Sequence, residues 1–347
     1  MTIVWSLIAV AVLSAVLTGL MRRYALSRQL LDRPNERSSH SVPIPRGGGV
    51  AIVLAFLVGL LLMGEGTSFA VTVALFGAGI GVAVVGFVDD HGHIAARWRL
   101  LAHFSCAAWI LYWIGVPRLE WMGGVVDLGA LGAVLAALYL VWMLNLYNFM
   151  DGIDGIAGVE ALIVGAGGTA VYWLAGLPPT SDVGLPALLA AAALGFLVWN
   201  FPPAKIFMGD AGSGFLGLML GALSLQATVA RPVLFWCWLV LLGVFIVDAT
   251  VTLIRRLLRG ERVYEAHRSH AYQHASREFG THRPVTIAVA AINVLWLLPW
   301  AAAIATGRID GVIGIVAAYL PLLALALRFR AGVDGVIDRD ACQSDLF

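Results

Sequence analysis

Two carboxamides and two carboxylates recur at strict three-residue spacing in NLYNFMDGIDG: Asn145, Asn148, Asp151 and Asp154, directly after an uncharged run. On an α-helix each step of three turns a side chain by ~300°, a drift of about −60°. Asn145, Asn148 and Asp151 therefore share a stripe about 120° wide, while Asp154 falls on the far side. Gly152 and Gly155 interrupt the helix there, so a turn can bring Asp154 back toward the others. Hard oxygen ligands at a water-accessible helix end suit Mg²⁺, with Mn²⁺ as the neighbouring choice. The competing reading is a polar helix terminus capped by its own Asn and Asp.

Other chemistry-bearing residues gather in the same way. Asp89 and Asp90 close an apolar run that begins near Ser68, at the helix end that disfavours negative charge. Lys205, Phe207 and Asp210 lie in NFPPAKIFMGDAGSG, a Pro- and Gly-rich bend where backbone can approach a ligand closely. Lys205 is the only lysine in the chain; its ammonium suits a phosphate oxygen, or it snorkels at a lipid interface. Asp210 reads equally as an N-cap of the helix that follows. In HRSHAYQHAS, His267, His270 and His274 occupy one helical face beside Arg268, a better match to a diphosphate than to zinc, because no Cys or Glu completes a shell. Arg37 and Arg46 flank SVPIPRGGG, which resembles a phosphate-cradling turn but lacks the GK[ST] of a P-loop. Asp248 sits inside an apolar run, either functional or paired with Arg255 and Arg256 of its own helix.

The elements that must position these residues are membrane helices. Hydrophobic residues make up 60% of the chain and charged ones 12%, far from a soluble domain. The expectation is an all-α polytopic integral membrane protein forming one domain over 1–347. About eleven transmembrane helices are expected, near 2–20, 48–64, 68–88, 100–115, 129–147, 156–177, 185–199, 214–230, 233–254, 285–305 and 311–327. The first segment lacks a basic leader and a cleavage site, so it is read as a retained helix. Cys106, Cys237 and Cys342 are far apart with no CxxC, so nothing suggests a disulfide framework or a zinc site. With the first loop placed inside, only Arg118, Arg231 and Arg308 fall outside. The N-terminus is then outside and the C-terminus cytoplasmic. Loops 21–47, 89–99, 148–156, 200–213 and 255–284 meet at the cytoplasmic face. A transporter would instead place its polar residues near mid-bilayer, where Asp248 is the one good candidate. The partners expected are a lipid bilayer and anionic small molecules, not nucleic acid.

GFVDD, NLYNFMDGIDGIAG and NFPPAKIFMGDAGSGFLG, in this order, resemble the polyprenyl-phosphate N-acetylhexosamine-1-phosphate transferases, the superfamily of bacterial WecA and MraY. The resemblance runs from about residue 32 to 276. It implies transfer of a sugar-1-phosphate from a UDP-sugar to undecaprenyl phosphate, release of UMP, a Mg²⁺ requirement and a location in the bacterial inner membrane. Family members often form homodimers. It further implies that Asp89 and Asp90 handle the lipid phosphate and that Asn148, Asp151 and Asp154 line the metal and nucleotide site. Asp210 then binds the metal with Asn148 or Asp151, and Phe207 lies near the uracil. Asp89, Asp90, Asp151, Asp154, His267 and His270 are the catalytic candidates, with Arg37, Arg46, Asn145, Lys205, Phe207 and Arg268 as substrate contacts. The chain departs from the family where a triple-histidine motif becomes His267-Arg268-Ser269-His270, and where Arg97 and Arg99 replace a lysine after the aspartate pair. These departures resemble the branch that initiates O-antigen and similar surface polysaccharides, including 6-deoxy-HexNAc donors, more than the phospho-MurNAc-pentapeptide transferases of peptidoglycan synthesis.

Overall fold

The computed structural model describes residues 2–32, 42–63, 66–92, 94–178, 181–261 and 267–333. Backbone polar groups cannot be left unpaired in hydrocarbon, so the apolar runs fold as helices that satisfy themselves internally. All eleven expected runs are helical. They are α1 (Thr2–Ser27), α2 (Gly49–Leu62), α3 (Phe69–His91), α4 (Ala96–Ile114), α5 (Gly129–Met150), α6 (Ile156–Leu174), α7 (Ser181–Asn200) and α8 (Asp210–Ala230). Then follow α9 (Leu234–Leu241), α10 (Gly243–Leu258), α11 (Ala271–Phe279), α12 (His282–Ile292), a π-helical turn (Asn293–Leu297), α13 (Leu298–Ala305) and α14 (Gly311–Arg328). Among the described residues, 8 helices are long and apolar enough to cross a membrane, or 9 when α9 and α10, bent by 71°, count as one. The other two expected spans are α2, only 14 residues long, and α4, whose first turns carry Arg97, Arg99 and His103.

Among the described residues, two short antiparallel pairs depart from a purely helical chain. Leu31–Asp32 (β1) pairs with Ile44–Pro45 (β2), and Leu119–Trp121 (β3) with Gly124–Val126 (β4). The second hairpin lies at the end of the bundle away from the aspartates, where the Trp236 indole donates to the Glu120 carbonyl at 2.7 Å.

Helix α8 is the central post. Every residue from Ala211 through Thr228 is buried, and α2, α3, α5 and α9 pack around it. The close crossing with α2 depends on two glycines, since a Cβ on Gly49 would lie 2.4 Å from the Gly212 Cα. That crossing explains the GGG run: Gly48 and Gly49 donate to the carbonyls of Phe207 and Met208 at 2.9 and 2.8 Å. The run that resembled a phosphate cradle therefore packs α2 onto the loop entering α8.

Candidate functional site

Described residues from the 42–44, 89–99, 148–154, 202–210 and 268–283 stretches line two cavities. The C-terminus of α3, the N-terminus of α8 and the C-terminus of α5 enclose a small acidic cleft. Asp89, Arg99, His103, Asn145, Asn148, Asp210 and Gly214 line this cavity of about 70 Å³. Beyond the α5 turn lies a larger basin of about 770 Å³, walled by Arg268, Arg277, His282 and Arg283 with Asp154, Gln273 and Pro202.

The adjacent aspartates have different surroundings. The Asp89 carboxylate accepts from the Ile94 N–H at 3.0 Å and forms an ion pair with Arg99. Arg99 thus answers the missing lysine after the aspartate pair. Asp90 points instead at the start of α8, where it accepts from the backbone N–H groups of Asp210 and Ala211 at 3.3 and 3.4 Å. This is an N-cap supplied by another helix, and an anion there also meets the positive end of the helix dipole. Gly209 makes room: its φ is +78°, and a Cβ would sit 2.8 Å from an Asp90 oxygen. Arg46 donates to the Asp90 carbonyl, fastening the β2 segment to the same corner.

The α5 stripe divides at its end. Asn145 turns back on its own helix and donates to the Val141 carbonyl at 2.7 Å. Asn148 accepts from the Ser213 hydroxyl at 2.8 Å, which links α5 to α8. Asp151 follows the last helical residue, and its carboxyl is held well above the usual range by burial and by the negative charges of Asp210, Asp90 and Asp154. Its side chain retains some access to solvent although protein atoms crowd it on most sides.

Asp154 does not return to the stripe. One of its carboxylate oxygens accepts from the Ala204 N–H at 2.9 Å, and the other lies 3.0 Å from His282 Nδ1. Its own carbonyl accepts from Thr286 at 2.8 Å, and the next N–H, of Gly155, donates to Asn200 at 3.0 Å. Asp154 is thus a latch joining the α5 turn, the Pro202–Ala204 bend and the start of α12. Sequence reading did not single out His282, Arg277 or Arg283; their clustering exists only once α11 and α12 fold against that bend.

Three further expectations are corrected. His267, His270 and His274 do not share a helical face, because α11 begins at Ala271 and the residues before it are non-helical. His267 and His270 stack with ring centroids 4.9 Å apart, while His274 bonds the Val333 carbonyl at 2.9 Å. Burial, with His270 and Arg256 nearby, pushes the His267 pKa down to about 3. Lys205 lines neither cavity; its ammonium lies 5.8 Å from the Trp199 ring centre, with Arg22 on the same indole. Asp248 does not pair with Arg255 or Arg256, which bond the Ala331 carbonyl and Glu261 respectively. Arg37 lies outside the described residues. Phe207 forms part of the loop before α8, its N–H donating to the Pro45 carbonyl at 2.8 Å. A second intramembrane acid, Glu160, was missed; it is fully buried in α6 and accepts from Asn293 at 2.5 Å, where the π-turn begins.

A divalent cation fits the acidic cleft. The Asp89 and Asp210 carboxyl groups lie within hydrogen-bonding reach of each other, and Asp151 feels the charge of Asp210. Such a set is relieved by a proton or by a cation. Among the described residues no three His, Cys, Asp or Glu side chains form a complete ligand set. Mg²⁺ does not need one, since it keeps several waters and binds through one or two carboxylates plus substrate phosphate.

Residues 71–228 match the model of glycosyl transferase family 4. The chain is 32% identical over 305 residues to the probable undecaprenyl-phosphate N-acetylglucosaminyl 1-phosphate transferase of Bacillus subtilis (strain 168), covering 81% of this chain and 79% of the relative. It is 28% identical over 375 residues to the decaprenyl-phosphate N-acetylglucosaminephosphotransferase of Mycolicibacterium smegmatis, covering 94% and 88%. A phospho-N-acetylmuramoyl-pentapeptide-transferase of Halalkalibacterium halodurans is 26% identical over 290 residues, covering 76% and 85%. The family model and the relatives agree, and the chain belongs to the polyprenyl-phosphate N-acetylhexosamine-1-phosphate transferase superfamily.

Proposed function

We propose that this protein transfers N-acetylglucosamine-1-phosphate, or a closely related HexNAc-1-phosphate, from a UDP-sugar to undecaprenyl phosphate. The observation that carries this reading is the acidic cleft adjoining an arginine-walled basin at the bundle end where a lipid phosphate and a soluble nucleotide can meet. A lipid phosphate oxygen attacks the β-phosphorus of the donor; the new P–O bond forms as the bond to the α-phosphate oxygen breaks, and UMP leaves. Mg²⁺, where bound by Asp210 and Asp151 with the Asn148 carboxamide, supplies charge neutralisation of the diphosphate. Asp89, oriented by Arg99, takes or positions the proton of the lipid phosphate. Arg268, Arg277, Arg283 and His282 offset the donor's charge in the basin. His267 and His270 stand beside the α5 turn, His270 stacked on Phe149.

The arginine distribution supports a cytoplasmic active face in a bacterial inner membrane. The N-acetylglucosaminyl relatives support a GlcNAc donor, and the product would prime a surface polysaccharide of O-antigen type. A homodimer accords with the family's habit.

The test is incubation of labelled UDP-GlcNAc with the purified protein, Mg²⁺ and undecaprenyl phosphate. Chloroform-extractable label with equal UMP is expected, and Asp210→Asn abolishes both. Label that only crosses vesicle membranes would instead identify a transporter. Turnover of UDP-MurNAc-pentapeptide in preference to UDP-GlcNAc would move the chain to the peptidoglycan branch.

A further inference from the structure

Asp248 lies in α10, buried in the helical bundle at 6% exposure, yet it is saturated with hydrogen bonds. One oxygen accepts from the Ala271 N–H at 2.9 Å and the other from the Tyr272 N–H at 2.9 Å. His270 Nδ1 is 3.2 Å away, and Thr252 Oγ1 donates to the same carboxylate at 3.2 Å. The carboxylate therefore caps α11 from outside, holding the first N–H groups of that helix. A carboxylate only accepts, which is what several converging donors require; an amide would turn an NH₂ toward one of them.

What α11 does next gives this cap its consequence. The Tyr272 hydroxyl donates to the Phe149 carbonyl at 2.9 Å, within the last turn of α5. A Cβ on Gly152 would lie 2.1 Å from that hydroxyl, so the turn carrying Asp151 rests directly on the phenol. The His270 ring stacks between Phe149 and Tyr272, at centroid separations of 6.4 and 5.6 Å.

We propose that Asp248 is a positioning residue for the transfer, acting through α11: it fixes Tyr272 and His270, and these brace the Phe149–Gly152 turn that presents Asn148 and Asp151. The inference rests on the transferase reading above. Without the cap, the start of α11 frays and the turn loses its support, although nothing in the acidic cleft has been removed.

The experiment uses the full chain in detergent with undecaprenyl phosphate and UDP-GlcNAc. It compares wild type, Asp248→Asn, Tyr272→Phe and the double variant by UMP release and by hydrogen exchange of the 149–155 segment. Asp248→Asn is expected to lower kcat about 10- to 100-fold, with KM for both substrates within about twofold. Tyr272→Phe lowers kcat about 3- to 10-fold, and the double variant matches Asp248→Asn within about twofold, since both interrupt one path. Both single variants accelerate exchange in 149–155. Multiplicative effects, a rise in KM at unchanged kcat, or unaltered exchange would overturn the proposal. Should Asp248→Asn fail to fold, Tyr272→Phe decides alone, and wild-type kcat and exchange in that variant refute the strap. A wild-type protein that releases no UMP refutes the transferase reading, whereas the exchange data judge the brace independently.

Discussion

Replacing Asp154 separates two roles for a carboxylate that the sequence motif presents as catalytic. One oxygen accepts from the Ala204 N–H at 2.9 Å, and the other lies 3.0 Å from His282 Nδ1, which itself accepts from the Asp154 backbone N–H at 3.3 Å, in a residue 8% exposed. Asp154→Ala leaves the buried Ala204 N–H without its acceptor, at about 1–3 kcal/mol, and removes the carboxylate beside His282. That cost is a large fraction of a stability of ~5–15 kcal/mol. Asp154→Asn differs in kind. Its carbonyl still accepts from Ala204, and its NH₂ takes the place of the oxygen beside Nδ1, an atom that already accepts from the residue-154 N–H. The Ala204 bond is preserved and the charge is lost, for about 1 kcal/mol.

Thermal melts in detergent, paired with UMP release at saturating Mg²⁺, read both effects. Asp154→Ala should melt well below wild type, and adding His282→Ala should cost little more, because the pair is already broken. Asp154→Asn should melt near wild type and retain roughly a tenth or more of the wild-type rate. Asp210→Asn should retain none. An Asp154→Asn variant that melts like wild type but is as inactive as Asp210→Asn would refute the latch, for then the charge itself acts on metal or substrate.

Other outcomes follow from the same geometry. Asp90→Ala removes the acceptors for two α8 N–H groups, about 0.5–2 kcal/mol of capping; UMP release should fall by about tenfold with Asp90→Asn intermediate, and a wild-type rate in Asp90→Ala would refute the capping role. Lys205→Ala loses an exposed cation–π contact of about 0.5–1 kcal/mol, so activity within about twofold of wild type is expected; a tenfold loss at unchanged melting temperature would return Lys205 to the site. His267 has a pKa of about 3 when folded, against an unfolded value of 6.5, so the unfolded chain takes up a proton that the folded one refuses. Stability should decline as pH falls from 6.5 toward 3, and His267→Gln should flatten that decline in melts compared at pH 7.5 and 5. An unchanged slope counts against the burial of His267 as its cause.

Much of this arrangement was legible beforehand, for reasons that differ from residue to residue. The apolar runs announced their helices, because in lipid a long uncharged segment has few other ways to satisfy its backbone. The three-residue spacing placed Asn148 and Asp151 at the end of α5, since that geometry is local to one helix. The histidine spacing misled because helical periodicity applies only inside a helix, and α11 starts after His270. The span count was also soft where charge or shortness trims a helix, as in α2 and α4. Arg277, His282 and Arg283, which join Arg268 in the basin, had no local signal, since the basin arises where α11 and α12 meet the Pro202–Ala204 bend.

The deeper miss concerns what an aspartate is for. Asp90 and Asp154 read as catalytic and Asp248 as either functional or paired on its own helix, and each is bonded to backbone N–H groups on a distant element: Asp210 and Ala211, Ala204, and Ala271 and Tyr272. The separations run from 23 to 121 residues, so no window of sequence could show them. Physically the pattern is coherent. A site built at the ends of membrane helices exposes unpaired N–H groups just where water thins out, and an ionised carboxylate is a strong acceptor matched to the helix dipole. Acids used this way are held by protein N–H groups, yet the charges of Asp90 and Asp154 still weigh on Asp151 and that of Asp90 on Asp210. Asp210 lies within hydrogen-bonding reach of Asp89, and Asp151 feels the charge of Asp210. The capping acids hold the helix ends still; the crowded ones keep the electrostatic strain that a metal–diphosphate complex would relieve.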